Sequence, residues 1–153
     1  LFSSLGESFT AFIGGVLNQN KTNLLSTGFD TILVEADEFD RSFLQLSPTI
    51  GCVTSVDADH LDIYGTEAEV VAAYSAFSDK ITAVKVVEKT VPLPGLTYSI
   101  EEEADYFAEG IKAKGFGYQF DLYTPNKVYR EVYFSQLGLH NLSNALAAFA
   151  VAS

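Results

Sequence analysis

A chain of 153 residues, 48% hydrophobic and 13% aromatic, carries enough apolar material for one packed domain of ordinary size, which excludes a mainly disordered polypeptide. Twenty acidic against nine basic residues give a formal net charge of −11, which excludes binding to a nucleic-acid backbone through clustered Lys and Arg. No apolar run approaches the roughly 18 residues of a bilayer span, no secretory leader pattern occurs, and the lone Cys52 has no intrachain disulfide partner. These features are read as a cytoplasmic protein with no membrane or nucleic-acid partner.

Residues 1–29 give an amphiphilic start, a turn at Gly14-Gly15 and a polar loop from Asn18 to Asn23. Thr31 to Glu35 and Ile50 to Thr54 are short runs rich in β-branched residues, as expected of strands buried on both faces. Asp37 to Leu46 is then their crossover, closed by Pro48, and Cys52 is a buried core thiol. Thr66-Glu67-Ala68-Glu69 forms a capping box, and Val70, Tyr74, Phe77 and Ile81 recur at helical spacing behind it. Between Ile81 and Thr97 the pattern is short and irregular and defines no sheet order.

Ala104 to Lys114, Phe116 to Tyr123 and Tyr129 to Ser135 alternate like strands, separated by turn signals, and predict an antiparallel meander at a sheet edge. The alternating Tyr118, Phe120, Tyr123, Tyr129 and Tyr133 are explained better by packing than by stacking on bases. Leu142 to Ala152 is Ala-rich and apolar on nearly all sides, the signature of a buried helix, with Asn141, Ser143 and Asn144 in its first turn. The fold class is α/β, a mostly parallel sheet flanked by helices with an antiparallel edge.

Two acidic cassettes follow the two short apolar runs: Glu35-Ala36-Asp37-Glu38-Phe39-Asp40 and Asp57-Ala58-Asp59-His60-Leu61-Asp62. Eight of the twenty acids lie between Asp30 and Asp62, against one base, Arg41. Such a block is a solvated face or a cation site. Glu35, ending an apolar strand, is either the cap of a following helix or a carboxylate that burial would require to be paired or metal-bound. His60 among carboxylates is either a solvated charge partner or a metal ligand. Oxygen ligands with an occasional His suit magnesium or manganese held jointly with substrate phosphates, at the strand carboxyl ends where open α/β sheets bind ligands. Asn141 and Asn144, three apart on one helix face, offer either an N-cap or amides able to hydrogen-bond a purine edge. No G-x-x-x-x-G-K-[ST] loop is present.

Taken in order, Thr10 to Gly15, Val34 to Leu44, Asp57 to Gly65 and Gly138 to Ala145 resemble the central ATP-binding domain of a Mur ligase, over nearly the whole chain. Within that family the resemblance is greatest to members that join L-alanine to UDP-N-acetylmuramate in peptidoglycan precursor synthesis. The resemblance implies ATP and Mg2+ as cofactors, Glu35 and His60 as catalytic magnesium ligands, and His140, Asn141 and Asn144 as the adenine-site residues. It also implies a P-loop-NTPase-like fold, and a reaction in which a carboxylate takes the γ-phosphate of ATP and the resulting acyl phosphate yields an amide. Family members carry a phosphate loop with Lys and Thr just before the Phe-Ile-Gly-Gly region, and separate domains for the UDP-sugar and the amino acid; none of these is found in residues 1–153. The expectation is an incomplete central domain, inactive alone. Other readings are a different Mur-type or folylpolyglutamate-type amide ligase, and a non-enzymatic acidic α/β module that binds a cation.

Overall fold

The computed structural model describes residues 2–17, 21–56 and 64–153. They form two compact units, Leu1–Leu46 and Ser47–Ser153. The first begins with a single helical turn, α1 (Phe2–Leu5), and then a three-stranded sheet of β1 (Phe9–Leu17), β2 (Thr22–Ser26) and β3 (Thr31–Val34) in the order β2-β1-β3. β1 is antiparallel to β2 and parallel to β3. Gly14 and Gly15 therefore lie inside β1 and make no turn, because the ladder to β2 passes them as an irregularity between Phe12 and Leu17.

Thr10 Oγ1 ties the start of β1 to the following chain, donating to the Gly28 carbonyl at 2.7 Å, while Phe9 and Ala11 are buried. β3 is not buried on both faces. Alternation places Ile32 and Val34 on one face with Phe12, in register with Thr10 and Phe12 of β1, and both are exposed.

In the second unit, β4 (Ile50–Val53), β5 (Val84–Glu88), β6 (Leu96–Ser99), β7 (Tyr106–Lys114), β8 (Gly117–Tyr123) and β9 (Val128–Phe134) lie side by side in sequence order. β4 to β7 are parallel, and β7, β8 and β9 form the antiparallel meander at the edge. The segment from Ile81 to Thr97 is thus an ordered part of the sheet, supplying β5 and the start of β6. Its strands are masked in the sequence by the turn at Pro92-Leu93-Pro94-Gly95.

Two helices are described in full in this unit. In α2 (Glu67–Asp79), Thr66 Oγ1 accepts the Glu69 N–H at 3.3 Å, which fulfils the N-cap expectation. Val70, Phe77 and Ile81 are buried as the periodicity predicts. α3 (Leu139–Ala152) packs Leu142, Leu146, Ala147 and Ala150 against Val86, Tyr98, Tyr106, Ala108, Phe120 and Leu122. Val87, one residue on from Val86, joins Val53 and Val91 in a separate cluster with Tyr74 of α2. Consecutive β5 residues thus meet α3 on one face and α2 on the other, which is why the strand reads as unbroken apolar sequence.

The two runs before the acidic cassettes are each paired within their own unit. β3 pairs with β1, and β4 pairs with β5 in the other sheet. Asp37 to Leu46, read from the sequence as a crossover, folds a 3-10 turn at Ser42–Gln45.

Candidate functional site

Glu35 stands directly after β3. Its backbone N–H donates to the Phe12 carbonyl at 2.9 Å, continuing the parallel ladder by one bond. The next bond in a parallel ladder would run from the Gly14 N–H to the Glu35 carbonyl. Instead, Gly14 N–H donates to Glu35 Oε2 at 2.9 Å, so the side chain closes the ladder where the strand stops. The carboxylate is exposed, which removes the premise of a buried charge, and no helix follows for it to cap. Glu35 Oε1 meets no hydrogen-bond donor among the described residues.

Beyond Glu35 the first cassette is held by its own turns. Asp37 Oδ1 accepts the Phe39 N–H and Asp40 Oδ1 accepts the Ser42 N–H, each at 2.9 Å. The Ser42 hydroxyl, followed by the Ser42 N–H, holds the Asp40 carboxyl below its ordinary range. These carboxylates are therefore engaged locally. His60, with Asp57, Asp59 and Asp62, lies outside the described residues. Among the described residues no three His, Cys, Asp or Glu side chains converge as a metal set.

The other candidate residues open α3. Its N-cap is Gly138, with φ of 94° and no side-chain cap, so neither Asn serves as one. The positive φ is what favours glycine there, since it disfavours any side chain; a Cβ would also meet the exposed His140 ring, which is free to move aside. The Gly138 N–H donates to Tyr118 Oη at 3.2 Å, anchoring the helix start to β8. Asn141 Nδ2 reaches back to the Leu137 carbonyl at 2.7 Å, which fixes its amide and leaves the side-chain oxygen outward of that bond. His140 and Asn144 are exposed. Burial of Leu142 and Leu146 on the sheet sets this orientation, because residues three or four apart share a face and those between them point away.

Beneath this turn, Tyr98 is almost fully buried. Burial pushes its phenol well above the usual tyrosine range, with the Cys52 and Glu88 charges adding to the effect. Cys52 is half-buried against the cluster that contains Tyr98, at its margin and not inside it as the sequence reading expected, and burial pushes its thiol up to about 11.

Residues 16–152 match the family model described as the Mur ligase middle domain. The chain belongs to the Mur ligase middle-domain family. It is 44% identical, over 149 residues, to the UDP-N-acetylmuramate–L-alanine ligase of Flavobacterium johnsoniae, a match covering 96% of this chain and 33% of that protein. The crystal structure of UDP-N-acetylmuramate–alanine ligase from Thermotoga maritima superposes with a TM-score of 0.82 at 26% identity, over 97% of this chain and 35% of that one. The MurF ligase of Thermotoga maritima in complex with ADP superposes with a TM-score of 0.71 over 94% of this chain and 38% of that one; at 15% identity it shows the fold alone. The chain thus spans about a third of the length of the curated relatives it matches. Mur ligases are ATP-dependent ligases, and a mostly parallel sheet with an antiparallel edge is the form this middle domain takes here.

One contact at the candidate site was not foreseen. The Gly14 amide touches Glu35, and a backbone donor leaves no side-chain signature in sequence. The only available sign was the glycine pair itself, which the expectation of a turn absorbed.

Proposed function

We propose that these residues form the nucleotide-binding middle domain of a ligase that joins L-alanine to UDP-N-acetylmuramate in the cytoplasm, for peptidoglycan precursor synthesis. The observation that carries the proposal is the 44% identity over 149 residues to a UDP-N-acetylmuramate–L-alanine ligase. In this reading a substrate carboxylate oxygen attacks the γ-phosphorus of ATP as the bond to ADP breaks, giving an acyl phosphate. The alanine amine then attacks the acyl carbon, inorganic phosphate leaves, and the nitrogen gives up a proton as the amide forms.

Asn141 and Asn144 present amides for the adenine edge, with His140 beside them. Glu35 and His60 would hold magnesium, which supplies charge neutralisation on the transferring phosphoryl group. The exposed Glu35 carboxylate fits that task, since one oxygen is committed to Gly14 and the other meets no donor among the described residues. A carboxylate plus an imidazole is a donor set compatible with a cation that also keeps phosphate and water ligands. The UDP-sugar and the amino acid would be bound by parts of the ligase outside residues 1–153, and catalysis would require them.

Calorimetric titration of a non-hydrolysable ATP analogue into the full-length ligase, with magnesium present, tests the nucleotide role. Asn144→Ala should weaken binding about tenfold, the equivalent of one hydrogen bond of about 1.4 kcal/mol. Unchanged binding by that variant would remove the helix start from the adenine site. Calcium binding that is indifferent to nucleotide would favour a non-enzymatic module instead.

A further inference from the structure

We propose that the backbone N–H of Gly14 is a positioning group for Glu35, committing Oε2 and presenting Oε1 alone to the cation. The inference rests on the reading of Glu35 as a magnesium ligand. Two observations support it. First, the parallel ladder between β1 and β3 proceeds through the Glu35 N–H to the Phe12 carbonyl, and its next donor, Gly14, is diverted from the Glu35 carbonyl to Glu35 Oε2. Second, a Cβ at Gly14 would lie 3.5 Å from both Glu35 Cδ and Oε1, in ordinary van der Waals contact, so the carboxylate lies flat against this part of the strand. The side chain is exposed and has no other hydrogen-bond partner among the described residues, so without this bond nothing described would restrain its rotamer. Ligands whose orientation is fixed by an outer hydrogen bond lose roughly 10- to 100-fold in metal affinity when it is removed.

The arrangement makes a distinction that ordinary alanine scanning does not. Gly14→Ala keeps the N–H and adds a methyl group that the geometry accommodates. Gly14→Pro deletes the N–H and places a ring carbon where the proton pointed. Glu35→Gln keeps an oxygen that can accept from Gly14 but removes the charge.

The test is calorimetric titration of Mn2+ into the full-length protein with a non-hydrolysable ATP analogue bound, accompanied by thermal melting of each variant. Gly14→Pro should raise the Kd for Mn2+ about tenfold, while Gly14→Ala stays within about twofold of the parent. An unchanged Kd in Gly14→Pro, alongside a raised Kd in Glu35→Gln, would overturn the positioning role and leave Glu35 as a ligand. An unchanged Kd in Glu35→Gln would overturn the ligand reading and this proposal with it. Where Gly14→Pro fails to melt cooperatively, Glu35→Asp decides. Its charge is intact but its reach is one methylene shorter, so it cannot keep the Gly14 bond and the cation together. It should raise the Kd about tenfold, and an unchanged Kd would overturn the proposal.

Discussion

Leu142→Ala tests the packing that orients the proposed adenine residues. Leu142 is 0% exposed and lies with Val86, Tyr98, Leu146 and Ala147 in the core cluster between α3 and the sheet. Replacing it removes three buried carbons and leaves a cavity. Its lining on β5 and β6 belongs to strands hydrogen-bonded on both sides, so collapse around the gap is limited. Buried Leu→Ala changes cost about 2–5 kcal/mol, and a poorly collapsing site argues for about 3 kcal/mol here. Against a total stability of roughly 5–15 kcal/mol, that is a large fraction. In urea unfolding followed by far-UV circular dichroism, the midpoint should fall by about 2 M for a slope of about 1.5 kcal/mol/M. Asn144→Ala, on the exposed side of the same helix, should move stability by no more than about 0.5 kcal/mol. A loss below about 1 kcal/mol for Leu142→Ala would refute the packing of α3 described here.

Three further outcomes follow from the geometry. Gly117→Ala would drive a Cβ against the Phe134 carbonyl oxygen of the neighbouring strand, so its melting temperature should drop sharply, by the equivalent of about 2 kcal/mol or more. Asp105 accepts the N–H and the hydroxyl of Thr97, both at 2.7 Å, and these bonds hold its carboxyl below the ordinary value of 3.8. Because the folded value is the lower one, the unfolded chain binds more protons between the two. The stabilisation is present above pH 3.8 and disappears as pH falls through the folded value. The stability gap between parent and Asp105→Asn, measured by urea titration at several pH values, should therefore narrow below that point; a constant gap would contradict the assignment. The Cys52 thiol, raised to about 11 by burial, should react with a disulfide reagent at pH 8 much more slowly in the folded chain than in urea.

Features set by neighbouring residues were legible in the sequence. The Thr66 cap, the apolar face of α2 and the three-strand meander each depend on contacts between nearby positions, and each was found where its pattern predicted. Features set by distant partners were not. Thr31 to Val34 has the composition of a strand buried on both faces, yet its partner is β1 and one of its faces is exposed. β5 and β6 were obscured because their order is decided by α2 and α3 covering both faces, which no local period records.

The candidate site divides in the same way. Glu35, His140, Asn141 and Asn144 were singled out by motif and resemblance, and the structure places Glu35 against Gly14 and the other three at the start of α3. His60 lies outside the described residues. The hydrogen bonds from the Asn141 side-chain amide to the Leu137 carbonyl and from the Gly14 N–H to Glu35 both involve backbone groups, which no motif distinguishes.

The most direct test of the account is alanine-dependent phosphate release from ATP by the full-length protein, with UDP-N-acetylmuramate present. The account predicts one phosphate for each alanyl amide formed, together with a large loss of rate in Glu35→Ala and in His60→Ala while both variants unfold cooperatively. Phosphate release indifferent to L-alanine, or full activity in both variants, would contradict it.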